Sequence, residues 1–241
     1  MAWNQALSDA RRLDPLGTRL PAGLRPGEAE ERLATEGFRL ICGADEAGRG
    51  PLAGSVVAAA VVLAEGFELS GLRDSKKLTA QAREALLPRI YKAALAFSIC
   101  ESSPSHIDQM GILHASMDAM RRAALDVWQQ LREKGLSLPD VLVVDGSLGV
   151  PGFALAPQRL VVKGDDRCWA IAAASVLAKT TRDAQMLRAD KEFPGYGFAD
   201  HKGYGTAAHL LALRERGPCP LHRQSFSPVA QARPPIQSSL W

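Results

Sequence analysis

The chain has 241 residues, of which 46% are hydrophobic and 23% are charged, a balance typical of a globular protein with one sizeable core. Its net charge of +3 permits a nucleic-acid partner without requiring one. Four dispersed cysteines, with no C-x-x-C pair, argue against a disulfide scaffold and favour a reduced, cytoplasmic protein. The longest apolar run, residues 52–64, is too short to cross a bilayer, and the N-terminus lacks the apolar region of a signal peptide. We therefore expect no membrane segment.

The composition changes towards both ends of the chain. Residues 1–36 are rich in Arg, Pro and Gly, which predicts a flexible N-terminal extension, with a short helix near 28–34. Residues 228–241 carry Pro, Gln and Ser and are predicted to form a disordered tail. The folded catalytic body is then expected to span 37–227.

Hydrophobic periodicity predicts five strands and four helices within this body. The strands are expected at 38–44, 55–63, 95–100, 141–144 and 160–162, and the helices at 79–94, 112–134, 171–187 and 206–217. The alanines of the second strand leave a helix open as an alternative, and Pro88 is expected to kink or split the first helix. This order predicts an α/β fold with a mixed sheet, helices on its faces and a helical C-terminal region.

Acidic residues follow three of the predicted strands. Asp45 and Glu46 come directly after the first strand, Asp145 ends the fourth, and Asp165 follows the fifth. A lone Asp-Glu pair is most often a solvated turn, but carboxylates at several strand ends are typical of a metal site at one edge of a sheet. An all-oxygen ligand set favours Mg²⁺ or Mn²⁺ over zinc.

The segment Gly48-Arg49-Gly50-Pro51 allows the backbone to approach a ligand closely. Glycine loops that bind mononucleotides lead into a helix, whereas here a proline and a predicted strand follow. We therefore reject the mononucleotide interpretation. An ordinary turn with a surface arginine is the simpler alternative.

Further polar residues suit a nucleic-acid backbone. Lys76 lies in an Asp-Ser-Lys-Lys run, and Ser175 and Lys179 are four residues apart on one helix face. Tyr204, between glycines, is expected either to stack on a base or sugar or to pack in the core. A zinc site is a weak alternative, because the spacing of its candidate ligands matches no standard pattern. Those ligands would be His201, His209, Cys219 and His222.

Together these strings resemble ribonuclease HII, the type 2 ribonuclease H of bacteria, over roughly residues 40–229. The matching strings occur in the family's order and are GADEAGRGPLAG (43–54), DSKKL (74–78), VVDG (143–146), KGD (163–165), IAAASVLAK (171–179), TRD (181–183), YGF (196–198), HKGYGT (201–206) and HRQSF (222–226). Several independent strings in one order make the resemblance specific.

The resemblance implies a ribonuclease H-like fold with two Mg²⁺ or Mn²⁺ ions held by four catalytic carboxylates: Asp45, Glu46, Asp145 and Asp165. Because Asp166 directly follows Asp165, either of these two residues could be the fourth carboxylate ligand, and the alignment to Lys-Gly-Asp favours Asp165. The resemblance also implies that the loop Gly48-Arg49-Gly50 recognises the 2′-hydroxyl of the ribose and that Tyr204 packs on the sugar that follows the ribonucleotide. Lys76, Ser175 and Lys179 fall in motifs that line the nucleic-acid path.

The implied activity is endonucleolytic. The enzyme would cut the RNA strand of RNA–DNA hybrids and the 5′ side of single ribonucleotides in duplex DNA, leaving 5′-phosphate and 3′-hydroxyl ends, and would act as a monomer. Two other classes remain as alternatives. A Mg²⁺-dependent phosphatase leaves the glycine loop and Tyr204 without a role. A non-catalytic nucleic-acid-binding protein leaves the acidic cluster unexplained, because four carboxylates repel phosphate unless a metal intervenes.

Overall fold

The computed structural model of the protein describes residues 19–67 and 78–232. Within them, five strands form one mixed sheet in the order β3-β2-β1-β4-β5. The strands are β1 (Ile41–Ala47), β2 (Val56–Leu63), β3 (Ala94–Ser102), β4 (Val141–Asp145) and β5 (Gln158–Val161). β1, β2 and β3 are antiparallel neighbours, whereas β4 and β5 continue the sheet parallel to β1. The predicted mixed α/β sheet is confirmed.

Helices cover the sheet and form the C-terminal region, as predicted. They are α1 (Glu28–Thr35), α2 (Ala80–Ala93), α3 (Pro104–Met110), α4 (Ile112–Glu133), α5 (Trp169–Glu192), α6 (Phe198–His201), α7 (Ala207–Arg216) and α8 (Ser227–Gln231), with a 3₁₀ turn at Gly164–Asp166. The sequence analysis missed α3, α6 and α8, because helices of four to seven residues are too short to show a periodic pattern. Thr206 caps α7, as expected, by accepting the N–H of His209.

The two faces of the sheet form separate cores. On one face α4 places Met120, Val127 and Trp128 against alternate residues of β1, β2 and β4. On the other face the alanine-rich half of α5 packs on Val57, Ala59 and Val61 of β2. Because β2 is buried on both faces and paired on both edges, its alanines are held in a strand, and the helix alternative is wrong.

The distance between α5 and β1 is set by a glycine. A Cβ on Gly43 would lie 2.2 Å from the backbone carbon of Ala170 and 2.4 Å from the nitrogen of Ile171, so only glycine permits this approach. Asp45 lies two residues further along β1, on the same face of the strand. It therefore points towards α5 about one helical turn beyond Ile171, where Ser175 lies.

Two structural expectations from the sequence need correction. β1 does not end at residue 44; it begins at Ile41 and continues to Ala47, so Asp45 and Glu46 lie within the strand. Of the two effects expected of Pro88, splitting is wrong, because α2 runs unbroken from Ala80 to Ala93 with Pro88 inside it, and a kink stays a prediction. Pro88 cannot donate an N–H to the Glu84 carbonyl, and both residues are exposed.

The described part of the predicted N-terminal extension is packed on the body rather than loosely attached. Ala29 and Leu33 of α1 are fully buried against β4 and β5. Glu30 accepts the N–H of Trp169 at 2.5 Å and so caps α5. At the other end, Val229 of α8 is buried within the predicted tail. Residues 1–18 and 233–241 lie outside the described residues.

Candidate active site

The acidic residues of the two central parallel strands meet at one edge of the sheet. β1 and β4 are paired in register from Ile41 with Val141 to Ala44 with Val144. Asp45 and Asp145 therefore both follow the pair Ala44–Val144; Asp145 is the last residue of β4, whereas β1 continues past Asp45 to Ala47. This placement is the one expected from the sequence, and it is where ligands bind in open α/β sheets.

Asp45 is the most constrained of these acids, with only 4% of its surface exposed. Its Oδ1 accepts the N–H of Glu46 at 2.7 Å. Burial, followed by the charges of Glu46 and Asp145, raises the pKa of Asp45 well above its ordinary value. Hydrogen bonds from the Ser175 hydroxyl and the Glu46 N–H act in the opposite direction. The protein thus keeps a carboxylate where burial and neighbouring charge both oppose its ionised form.

The fourth acid comes from the 3₁₀ turn that follows β5. The N–H of Gly164 donates to Oδ1 of Asp145 at 2.7 Å, which places the turn beside the end of β4. Asp165 is buried with 1% of its surface exposed, whereas Asp166 is partly exposed. The turn therefore brings both neighbouring acids to the same edge.

These carboxylates do not form a preformed cage. Across residues 19–67 and 78–232, no three acidic, histidine or cysteine side chains are grouped closely enough to hold a metal ion. The donor chemistry nevertheless fits a divalent cation, because a buried carboxylate repelled by two others is stabilised by positive charge. Oxygen-rich acidic groups of this kind suit Mg²⁺ or Mn²⁺.

Two buried arginines hold the loop that follows β1. Arg223 is fully buried and donates to four backbone carbonyls of this loop: Gly48 at 2.6 Å, Arg49 at 3.0 Å, Pro51 at 2.6 Å and Gly54 at 3.0 Å. Burial and the charge of Arg182 lower the pKa of Arg223 to about 9. The guanidinium therefore fixes the path of the loop from inside the protein.

Arg182 of α5 holds the same loop from the other side. It donates to the carbonyls of Ala53 at 3.1 Å, Ser55 at 3.2 Å and Lys202 at 3.0 Å. Gly48 has a φ of +96°, and a Cβ there would lie 2.0 Å from Nε of Arg182. Sequence analysis gave neither arginine a role, although both lie in the matched strings 181–183 and 222–226.

The candidate sugar-binding residues lie side by side. Tyr204 is 45% exposed, so the core-packing alternative is wrong. A Cβ on Gly50 would meet the Tyr204 ring at 3.6 Å. Arg49 is also exposed and forms an ion pair with Glu46 at 3.3 Å, which links the loop to the carboxylates. Tyr204, the glycine loop and Glu46 are thus connected, and Glu46 is the neighbour of the buried Asp45.

The other predicted contact residues have partners within the protein. Ser175 hydrogen-bonds to Asp45, which makes it a support for the carboxylate. Lys179 is partly exposed and pairs with Asp183 at 2.7 Å, and Asp183 also binds Arg83 at 3.0 Å. A phosphate at Lys179 would have to share this lysine with Asp183. Lys76 lies outside the described residues.

The zinc alternative is wrong. Nε2 of His209 lies 3.0 Å from Nε2 of His222, so these two rings face each other through a hydrogen bond. His201 contacts the carbonyl of Tyr196 at 2.8 Å, and the N–H of Cys219 contacts Nδ1 of His222 at 3.0 Å. The four residues form a hydrogen-bonded cluster within the part of the chain that the structure covers, not a metal cage.

Between residues 19–67 and 78–232, no helix is long and apolar enough to span a bilayer. All four cysteines, which lie in these ranges, are free.

Comparison with known proteins identifies the family. The model of the family described as Ribonuclease HII matches residues 42–229. Ribonuclease HII of Syntrophotalea carbinolica is 51% identical over 202 residues, covering 84% of this chain and 92% of that protein. Ribonuclease HII of Laribacter hongkongensis is 52% identical over 193 residues, covering 79% and 92%.

Solved structures agree on the fold. Ribonuclease H2 of Pyrococcus horikoshii OT3 superposes with a TM-score of 0.64 at 23% identity, covering 80% of this chain and 96% of that one. Bst-RNase HIII in complex with Mn²⁺ gives a TM-score of 0.64 at 17% identity, covering 81% and 69%. The chain therefore belongs to the ribonuclease HII family and is an endoribonuclease that acts on the RNA of RNA–DNA hybrids.

Proposed function

We propose that this enzyme also cuts duplex DNA on the 5′ side of single embedded ribonucleotides, leaving 5′-phosphate and 3′-hydroxyl ends. The observation that carries this proposal is the exposed Tyr204 ring beside Gly50, in a loop that is fixed from within. Such a surface can read two consecutive sugars, one at the loop and one at the tyrosine. A single ribonucleotide in DNA offers a ribose followed by a deoxyribose.

The orientation of the loop supports recognition of the 2′-hydroxyl by the backbone. In a trans peptide the C=O and the next N–H point in opposite directions. The carbonyls of Gly48 and Arg49 point inwards to Arg223, so the N–H groups of Arg49 and Gly50 point away from it. Arg49 and Gly50 are exposed. These N–H groups are placed to donate to the ribose hydroxyl, which is the backbone feature that distinguishes RNA from DNA.

Tyr204 supports the second part of the recognition. Its exposed ring lies directly beside Gly50, where a Cβ would only just contact the ring, at 3.6 Å, and would occupy part of the exposed space next to it. A ring that packs on the next sugar favours deoxyribose, which lacks the bulk of the hydroxyl. We therefore assign the RNA-to-DNA junction to Tyr204.

The carboxylates Asp45, Glu46, Asp145 and Asp165 would hold two Mg²⁺ or Mn²⁺ ions, with Asp165 chosen over Asp166 by its place in the Lys-Gly-Asp string. When bound, such ions lower the pKa of an attacking water and stabilise the leaving oxygen. Ser175 orients Asp45 by hydrogen bonding, and the Gly164 N–H orients Asp145. The Mn²⁺ in Bst-RNase HIII supports this choice of metal.

Lys76 and Lys179 complete the proposed path of the nucleic-acid backbone, where lysines bind phosphate as point charges. We propose that the enzyme acts as a monomer. The four free cysteines support a reducing, cytoplasmic location.

The test is cleavage of a DNA duplex that carries one ribonucleotide, with the ends of the product mapped. We expect a single cut 5′ of the ribonucleotide in Mg²⁺ or Mn²⁺, little turnover in Ca²⁺, and no cut in EDTA until Mg²⁺ is restored. An all-DNA duplex is the control. Cleavage of a continuous hybrid without any cut in the single-ribonucleotide duplex would contradict the proposal, and full activity in EDTA would contradict the role of the carboxylates.

A further inference from the structure

Three histidines lie together beneath Tyr204. The rings of His201 and His209 stack with their centroids 4.3 Å apart, and His209 is hydrogen-bonded to His222. His209 and His222 are buried, with 0% and 1% of their surfaces exposed. Buried polar groups of this kind need defined hydrogen-bond partners. The partners here determine where each proton lies.

The proton positions follow from the donors at the two ends of the chain of bonds. Nδ1 of His222 lies 3.0 Å from the Cys219 N–H and 3.3 Å from the Cys219 carbonyl oxygen. The carbonyl already accepts the backbone N–H of His222 at 3.0 Å, whereas the Cys219 N–H can donate only to Nδ1, so this nitrogen is assigned as the acceptor. A neutral His222 then carries its proton on Nε2 and donates it to Nε2 of His209. His209 must in turn carry its own proton on Nδ1, which lies 2.9 Å from the carbonyl oxygen of Tyr204. The result is a chain of hydrogen bonds that all donate in the same direction, from the Cys219 N–H through His222 and His209 to the Tyr204 carbonyl; we call this chain the relay.

His201 holds the residue before Tyr204 in the same way. Its Nδ1 accepts the N–H of Gly203 at 3.2 Å, so its proton lies on Nε2 and is donated to the carbonyl of Tyr196 at 2.8 Å. Lys202 and Gly203 both have left-handed conformations, with φ values of +51° and +83°. Glycine adopts this conformation readily, but Lys202 does so only when surrounding contacts hold it.

These contacts place the Tyr204 ring through its backbone. The Tyr204 N–H donates to the His201 carbonyl at 2.9 Å, and its own carbonyl accepts from both Thr206 N–H and His209. The ring itself is half exposed and lies beside Gly50. Its position against a bound sugar therefore depends on how firmly the backbone of residues 201–206 is held.

We propose that His209 is a positioning residue: through its Nδ1 proton it fixes Tyr204 and thereby sets the preference for an RNA-to-DNA junction. This inference rests on the proposed function, because it assumes that Tyr204 contacts the sugar after the ribonucleotide. It assigns a specificity role to a buried residue that touches neither substrate nor metal.

The relay also makes the preference sensitive to acid. Protonation of His209 would place two N–H groups face to face at the 3.0 Å contact with His222. The titratable groups that face this pair are His201, stacked on His209, and Tyr196 and Cys219, which contact His222. Burial is the main cause that lowers the pKa of both rings, to about 4 for His222. At neutral pH the relay is therefore intact.

Two substitutions of His209 each retain one of its two hydrogen bonds, either that to the Tyr204 carbonyl or that from His222. His209→Asn retains a side-chain donor near the position of Nδ1 but does not reach His222. His209→Gln retains an acceptor near the position of Nε2 but has no donor for Tyr204. Each variant removes one buried hydrogen bond, so their thermal stabilities should fall by similar amounts. The readout is the junction preference, defined as kcat/KM on the single-ribonucleotide duplex divided by kcat/KM on a continuous RNA–DNA hybrid.

We expect His209→Gln to lower the junction preference by about fivefold, the effect of one lost hydrogen bond of average strength, and His209→Asn to retain most of it. His106→Gln, in a partly exposed histidine of α3, is the matched control and should keep the wild-type value. In the wild type the preference should fall on acidification towards pH 4, and the ratio cancels effects on the shared carboxylates. Equal behaviour of the Asn and Gln variants would overturn the proposal.

A second measurement does not depend on activity or on mutant folding. The ¹⁵N chemical shifts of the ring nitrogens in the full-length wild-type enzyme should show the proton of His209 on Nδ1 and that of His222 on Nε2 at neutral pH. The opposite tautomer of His209 would overturn the relay. Tyr204→Ala distinguishes the two levels of the argument. If it lowers the preference while both His209 variants keep it, only the present inference fails. If Tyr204→Ala leaves the preference unchanged, the proposed role of Tyr204 fails as well.

Discussion

Two neighbouring regions of this enzyme each bury charged groups of the same sign close together, but only one of them compensates the charge with hydrogen bonds inside the protein. At the sheet edge Asp45 is buried beside Glu46 and Asp145, and this environment raises its pKa. Behind the adjoining glycine loop, Arg182 of α5 and Arg223 are buried near each other and donate to three and four backbone carbonyls, respectively.

This difference indicates that the buried arginines have a structural role and that the buried carboxylates have a functional one. The carbonyl dipoles compensate the arginines within the chain, so this region needs no ligand to be stable. The carboxylates present oxygen atoms and mutual repulsion, which an external cation can relieve. A rigid loop therefore lies directly beside an acidic edge that is suited to metal ions.

The largest expected effect is loss of catalysis on neutralising the acidic edge. We expect Asp45→Asn or Asp145→Asn to lower cleavage by about 10³-fold or more, because metal-bound transition-state stabilisation amounts to several kcal/mol. The raised pKa of Asp45 means that this group contributes most to stability below its ordinary pKa and loses that contribution as pH rises. Asp45→Asn should therefore raise the melting temperature in EDTA at pH 7.

The control is the exposed carboxylate of Asp140, whose pKa is shifted in the opposite direction to that of Asp45. Asp140 accepts the N–H groups of Arg39 and Leu40, and these bonds lower its pKa. Asp140→Asn should leave cleavage unchanged and lower the melting temperature. If Asp45→Asn and Asp145→Asn both cleave at wild-type rates, the acidic edge is not the metal site.

The second largest effect is a loss of stability when a buried arginine no longer donates to the loop carbonyls. Arg223→Met leaves four loop carbonyls without their donor and should destabilise the protein by about 3 kcal/mol or more. Urea unfolding measures the loss, and cleavage of both substrates should fall with it. Arg32→Met removes an exposed pair with Glu28 and should cost about 0.5 kcal/mol or less. Similar costs for the two variants would remove the distinction between the buried and exposed arginines.

The third effect separates the two glycines of the loop. Gly48→Ala forces a side chain into a left-handed residue and against Arg182, so we expect a loss of about 1–3 kcal/mol and weaker cleavage. Gly50→Ala meets only the Tyr204 ring at an ordinary contact distance. It should keep wild-type stability and lower kcat/KM on every ribonucleotide-containing substrate. Measured stabilities in the reverse order would show that the arginines do not determine the loop.

The smallest effect is the pH dependence of stability. Burial lowers the pKa of His222 to about 4 and that of His209 in the same direction, so both rings fold as neutral groups. The unfolded chain binds protons first, and stability should fall as pH drops from about 6.5 towards 4. A change of about 1 kcal/mol would lower the melting temperature by about 2–4 °C. His222→Gln should flatten this fall and His106→Gln should not; equal slopes would exclude the buried histidines as its cause.

Much of the architecture could be predicted from local patterns. The valines of β2, the apolar stripe of α4 and the capping Thr206 each predicted the correct element, because these signals depend on neighbours in the chain. The acids Asp45 and Asp145 were predicted at one edge for the same reason, since they follow buried strands. Errors arose where longer contacts decide the outcome: β1 extends to Ala47 through pairing with β2, and α1 is anchored by burial against β4 and β5.

The sequence by itself therefore determined the family, the mixed sheet and the positions of Asp45 and Asp145 at its edge, because motifs, the succession of elements along the chain and acids next to apolar runs are local properties. Only the tertiary structure decided that Arg182 and Arg223 hold the glycine loop, that Tyr204 is exposed beside Gly50, and that the histidines bind one another rather than zinc. These contacts join residues more than a hundred positions apart or depend on ring orientation. Their free energy comes from satisfying buried polar groups, and the partners of those groups are defined only once the chain has folded.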